Sequence, residues 1–151
     1  MIHVEAASPH DPQVAILLDE LSATLTVITG SSGGASFDPS DVEGDRALFM
    51  LAHDESGSPV GCGAFRPLQP GVAEIKRMYA RTGTRGVGAA LLCALESGAR
   101  ECGYAEVWCE TRIVNKRAVR FYERHGYRRI ENFGKYAGRP DAVCFAKDLS
   151  H

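Results

Sequence analysis

The sequence predicts a mixed α/β fold with a mostly antiparallel central sheet and helices on both of its faces. Three observations predict it. Residues 47–80 hold three short apolar runs separated by turn residues, the pattern of an antiparallel meander. A Gly-rich stretch, a helical pattern and a further apolar run follow, which is the order of a βαβ crossover. Helical periodicity also precedes the meander and recurs after the crossover.

After a short apolar start (Ile2, Val4), Asp11-Pro12 has the chemistry of an N-cap followed by proline at the first helical position. Val14, Leu17, Leu18, Leu21 and Leu25 then recur on one helical face. Residues 29–44, rich in Gly and Ser, form a loop with one helical turn after Pro39. Strands at 47–52 and 60–65 flank a hairpin turn at residues 54–57, and residues 67–71 turn the chain into a strand over 72–80. Beyond residues 82–88, Leu91, Leu92, Leu95, Ala99 and Cys102 mark a helix that Gly103 ends. A strand at 105–111 completes the crossover. The next helix, 115–125, carries Ala118, Phe121, Tyr122 and His125 on one side and ends at Gly126; strands at 127–130 and 142–149 close the chain.

A length of 151 residues predicts one domain over residues 1–151, large enough for a core without staples. A net charge of −2 argues against a duplex nucleic-acid partner, which usually meets a basic face. The five cysteines are odd in number and scattered, with no CxxC pair, so neither a metal site nor a disulfide framework is expected. Each falls in an apolar run and reads as a small buried hydrophobe. The five histidines, His151 among them, show no metal spacing. The first residues lack the charged and apolar regions of a signal peptide, and no segment approaches the ~20 apolar residues of a membrane helix. A cytoplasmic location is the expectation.

The segment Arg81-Thr82-Gly83-Thr84-Arg85-Gly86-Val87-Gly88 lies between a strand and a helix start. Helix N-termini present unpaired N–H groups and about half a positive charge, glycines admit a close ligand, and two arginines add charge. That chemistry suits a phosphate or pyrophosphate; a plain βα turn with solvated arginines is the other reading. A P-loop would place Lys-Ser or Lys-Thr where Ala89-Ala90 stands. A dinucleotide fold would need a small residue at Leu91 and a position after the first strand of a parallel unit. The pyrophosphate of coenzyme A is the reading left.

Asn115-x-x-Ala118-x-x-Phe121-Tyr122-Glu123-x-x-Gly126-Tyr127 resembles the N-x-x-A-x-x-x-Y-E-x-x-G-F/Y segment of the GNAT N-acetyltransferase superfamily. Residues 74–92 resemble its acetyl-CoA motif, and 132–145 look like a subgroup of small bacterial acetyltransferases. The resemblance covers residues 46–149 and implies a βαβ site splayed between strands 72–80 and 105–111. It implies that the pantetheine arm of acetyl-CoA, the cosubstrate, pairs with backbone groups near Met78 and Ala80. The pyrophosphate would rest on the N–H groups of Arg85, Gly86, Val87, Gly88 and Ala89. Gly83 stands where the family pattern has Gln or Arg, which leaves the phosphate contact to Arg81 or Arg85.

Amide formation from a thioester needs a neutral amine, a stabilised oxyanion and a proton for the leaving thiolate. An amine with a pKa of about 10.4 is almost wholly protonated at neutral pH, so a base or a desolvated site helps. The resemblance makes Tyr122 the general acid; a core tyrosine is the plainer reading. It makes Glu74 the base, directly or through water, against a glutamate on an edge strand paired with Lys76 or Arg77, and Glu110 is the reserve. Asn115 is placed to cap its helix, with a contact to the pantetheine arm as its second role. Lys116, Arg117, Arg120 and Arg124 make that helix basic, a solvated face from which one residue meets a CoA phosphate. His125 reads as a C-terminal cap and Cys109 as structural.

The expected activity is transfer of an acetyl group to a primary amine of a small molecule or peptide, without metal, nucleic acid or membrane. A homodimer is a family-level expectation. The other class of function is a non-catalytic acyl-CoA-binding sensor or interaction module. Residues 29–44 and 132–142 are expected to line the acceptor side, with Tyr136 and Phe133 as an apolar wall. Asp38, Asp41 and Glu43 either attract a cation or are simply solvated.

Overall fold

A computed structural model describes residues 1–34 and 37–149. Within the loop expected over residues 29–44, Ala35 and Ser36 lie outside the described residues, as does His151. Among the described residues, seven strands form one sheet in the order β1-β2-β3-β4-β5-β7-β6. They are β1 (His3–Ala6), β2 (Leu48–His53), β3 (Pro59–Gln69), β4 (Val72–Ala80), β5 (Glu106–Arg112), β6 (Arg128–Ile130) and β7 (Ala142–Asp148). The helices are α1 (Pro12–Thr29), α2 (Val87–Glu101) and α3 (Lys116–Arg124), with short 3₁₀ turns at Pro39–Val42 and Gly134–Tyr136. Among the described residues only the β4–β5 pair is parallel, and α2 is its crossover.

The helices begin and end where local chemistry dictates. Asp11 accepts from the N–H of Gln13, Pro12 opens α1, and Gly30 closes it at φ 81°. Asn115 accepts from the N–H of Ala118 to cap α3. The His125 ring Nδ1 lies 2.8 Å from the Phe121 carbonyl oxygen at the other end. The core has two layers. Val14 and Leu17 of α1 pack with Phe49, Leu51, Cys62 and Ala64 on one face. Leu92 and Leu95 of α2 and Tyr122 of α3 pack with Phe65, Ile75, Val107 and Phe145 on the other. Full burial of each such apolar side chain contributes roughly 1.5–3 kcal/mol.

Four details differ from the sequence reading. β1 is a strand, pairing His3 with His53 through Ala6 with Met50. It is short and mostly exposed at the sheet edge, and its apolar–polar alternation from Ile2 to Ala6 is too brief to stand out in the sequence. β3 runs through Pro67 to Gln69, and the turn falls at Pro70-Gly71. Pairing with β2 stops at Phe65, so Pro67 lies where β3 is locally an edge, the place a strand tolerates proline. Cys62, Cys109 and Cys144 are buried, but Cys93 is exposed on the outer side of α2 and Cys102 is half-buried.

The fourth detail shapes the site. Cys62 pairs with Tyr79 but Ala64 with Lys76, so Arg77 and Met78 together oppose Gly63. This is a β-bulge, and Arg77 takes φ 55° within it. No helix among the described residues is long and apolar enough to cross a membrane.

Candidate active site

β4 and β5 pair at Val72–Glu106, Ala73–Val107 and Glu74–Trp108, and then part. β5 continues its ladder with β7 as far as Arg112–Ala142. β4 continues with β3 as far as Ala80–Gly61. The two central strands therefore diverge from a vertex at Glu74 and Trp108. A cavity of about 680 Å³ opens there, reaching the first turn of α2 and the underside of α1.

At the vertex Glu74 is buried, only 2% exposed, on an interior strand. Arg66 donates to its Oε1 at 2.8 Å and the Tyr136 hydroxyl to its Oε2 at 3.1 Å. Lys76 Nζ stands 3.5 Å from Oε2 and donates to the Tyr136 oxygen at 3.2 Å. Burial lowers the pKa of the Lys76 ammonium below the ordinary lysine value, against the pull of Glu74. Glu74 is thus ion-paired, with Arg66 and Lys76 as partners; Arg77 points elsewhere.

Tyr122 comes to the cavity from the opposite layer, packed among Phe121, Tyr127 and Phe145. Burial holds its phenol well above the ordinary tyrosine pKa, and the neighbouring Cys109 thiol, to which it is hydrogen-bonded, raises it further. The same burial raises Cys109 well above the usual thiol range. A phenol so placed keeps its proton at every physiological pH, the requirement of a group that must donate one.

The mouth of the cavity is the start of α2. Gly86 sits at its N-cap with φ 74°, a left-handed conformation that favours glycine, and no side chain of the described residues caps the helix. The first N–H groups of α2 are therefore free of a side-chain partner, with Gly86, Val87, Gly88 and Ala89 all lining the cavity. Gly88 has a second reason to be glycine: a Cβ there would lie 3.1 Å from the Phe121 ring, so it sets the contact of α2 with α3.

Met78, Ala80, Asn115, Glu74 and Tyr122 line the same cavity, as does the reserve carboxylate Glu110. Glu110 is bound by Arg112, which also stands 3.6 Å from Asp141. Arg85 is exposed and is not among the lining residues. Arg81 is engaged elsewhere: its Nε donates to Glu20 Oε1 at 3.0 Å and its Nη2 to Oε2 at 2.5 Å. That pair lowers the Glu20 pKa. Arg117 and Arg124 of α3 do line the cavity, which the even spread of charge along that helix did not single out. On the side where the acceptor is expected, Thr29, Ser31, Gly33 and Tyr136 line it. Phe133 instead packs against Trp108 at a tilt and edge-on against Tyr136, with ring centres 5.2 and 5.4 Å apart. Asp38 and Asp41 close a capping box, and Glu43 meets His10 at 3.0 Å.

The geometry defines an α/β protein that can hold an extended, anion-ended ligand between two parted strands, beside a protonated phenol. The family model described as Acetyltransferase (GNAT) family matches residues 16–127, and the chain belongs to that family. It is similar to a protein of Azospirillum brasilense named IAA acetyltransferase, with 27% identity over 151 residues, 98% of each chain. Among solved structures it is similar to a Klebsiella pneumoniae protein provisionally named an acyl-CoA N-acyltransferase. There the TM-score is 0.83 and the identity 26%, over 99% of this chain and 98% of that one. A GNAT family acetyltransferase from Elizabethkingia anophelis with acetyl-CoA bound matches with a TM-score of 0.70 and 16% identity, over 97% of each chain, a likeness of fold.

Proposed function

We propose that this chain transfers an acetyl group from acetyl-CoA to a primary amine of a small molecule or peptide, directly and without an acyl-enzyme. The observation that carries the reading is the opening beyond Glu74 and Trp108, with a buried carboxylate on one side and a buried phenol on the other. The uncapped first turn of α2 suits a pyrophosphate, with Arg117, Arg124 and, from the solvent side, Arg85 as its cationic neighbours. Backbone groups near Met78 and Ala80 are free to pair with the pantetheine arm because β5 has left β4 by that point. Asn115 faces the same stretch of the cavity.

Acetyl-CoA supplies the acyl group as a thioester. In the transfer an N–C(O) bond forms and the S–C(O) bond breaks. Tyr122 donates a proton to the departing thiolate and recovers one from solvent. Glu74 accepts the proton released by the amine, directly or through water, and the Lys76 and Arg66 cations beside it hold its charge in place. Cys109 does not attack: its thiol is buried, raised in pKa and already bonded to Tyr122, so little thiolate is present. The free state of the five cysteines is consistent with a cytoplasmic location.

The test is calorimetric titration with acetyl-CoA, followed by detection of free thiol across a panel of amines. Micromolar binding with amine-dependent thiol release supports the transferase. Binding without release under any amine supports the sensor reading instead.

A further inference from the structure

β4 carries one residue more than β3 can pair, and that residue changes the chemistry of the acceptor side. In a regular strand Lys76 and Arg77 would point to opposite faces. Because Arg77 and Met78 both oppose Gly63, Lys76 and Arg77 turn to the same face, the one that α1 covers. Met78 packs with the α2 layer.

Lys76 reaches toward Tyr136, and Arg77 reaches under the C-terminal half of α1. Its Nη2 donates to Ser22 Oγ at 2.8 Å and its Nη1 to the Ser32 carbonyl at 3.3 Å. The guanidinium carbon lies 5.7 Å from the centre of the Phe37 ring. Every partner is neutral. Its Nε is buried with no hydrogen-bond partner among the described residues. The neighbouring cations are matched differently: Arg81 has Glu20, Arg112 has Glu110 and Asp141, and Arg66 and Lys76 share Glu74. Arg77 lines the cavity with a charge that no carboxylate of the described residues answers.

A largely desolvated guanidinium without a counter-ion costs free energy, and a ligand that brings the anion recovers it. The planar fork of guanidinium N–H groups fits a carboxylate. We propose that the acceptor is an amine that also bears a carboxylate, and that Arg77 binds this carboxylate and selects for it. This rests on the transferase reading of the cavity and names the class of acceptor within it.

The test uses matched probes: glycine, phenylalanine, lysine and 4-aminobutyrate, each against its own carboxamide, titrated into the full chain with coenzyme A present. At least one acid binds ten times or more tighter than its amide. The preference collapses in Arg77→Gln and survives in part in Arg77→Lys, while acetyl-CoA affinity does not move. Equal binding of acids and amides, no binding by any acid, or a preference that persists in Arg77→Gln overturns the proposal. Should Arg77→Gln not fold, the wild-type comparison and Arg77→Lys decide it. Thiol release with the amides as efficient as with the acids removes the carboxylate site and leaves the transferase reading standing. Acid-selective binding without thiol release does the reverse.

Discussion

Glu74 of β4 and Trp108 of β5 are the last residues at which those strands pair. The residues proposed to act line the cavity that opens from that vertex. On the α1 face the Glu74 carboxylate is held by Arg66, Lys76 and Tyr136. On the α2 and α3 face the Tyr122 phenol rests against Cys109. The sheet thus holds the Glu74 carboxylate and the Tyr122 phenol apart, and both line the opening between its strands.

Glu74 is ion-paired in the fold and is proposed to act as the base, and the two roles are separable. Glu74→Gln strands Lys76, 7% exposed, beside a neutral partner. Breaking a buried pair from one side typically costs about 3–5 kcal/mol, with the lower end expected where Arg66 is part-exposed. Turnover should also fall. In Glu74→Gln/Lys76→Met the stranded cation is gone, so urea unfolding should recover most of the stability while turnover stays low. Recovery of turnover in the double variant would show that Glu74 serves only the fold.

Arg81 is spent on Glu20 and should be dispensable for the donor. Both side chains are about one-third exposed, so Arg81→Gln should cost little stability and leave acetyl-CoA affinity unchanged. Arg117→Gln and Arg124→Gln should each weaken acetyl-CoA by roughly tenfold, the scale of one hydrogen bond to a charged group. Calorimetric titration of the three variants distinguishes them; loss of binding in Arg81→Gln alone contradicts the assignment.

The sequence revealed the helices, the crossover and most of the predicted cavity positions, though not Arg117 or Arg124 and with Arg85 misplaced, because local chemistry writes them. Caps at Asp11 and Asn115, the glycines from Gly83 to Gly88 and the helical face of Tyr122 are all short-range signals. The bulge was hidden because an extra residue exists only relative to a partner, and the register of β3 is not written in β4. The network around Glu74 was partly visible, since Lys76 is two residues away. Arg66 and Tyr136 come from another strand and from a 3₁₀ turn 62 residues on. Glu20 meets Arg81 across 61 residues, so nothing local warned that the loop arginine was already engaged.

Buried acidic groups set the alkaline limit of the fold. Burial pushes the Cys62 thiol up to about 12, and Cys109, Tyr122 and Tyr127 are raised as well. A raised folded pKa means the folded chain holds the proton more tightly than the unfolded one. Stability is then complete below the unfolded value and is lost as pH climbs toward the folded value. For Cys62 that window runs from about 9 to about 12. Lys76, lowered by burial, contributes with the opposite sign and offsets one group. Urea unfolding should show stability falling above about pH 9, by up to about 1.4 kcal/mol per pH unit for each uncompensated group. Cys62→Ala should start less stable and fall less steeply; a flat profile in both proteins contradicts this account.

Tyr122→Phe tests the central claim most directly. The ring stays in its packing with Phe121, Tyr127 and Phe145, and only the hydroxyl that faces Cys109 is removed. Single-turnover thiol release from bound acetyl-CoA, with saturating amine, measures the step the phenol serves. The account predicts unchanged acetyl-CoA affinity and a release rate lower by roughly 10²–10⁴, the usual weight of a positioned acid. Release at the wild-type rate with intact binding would contradict it, leaving Tyr122 a core residue and the leaving thiolate to solvent.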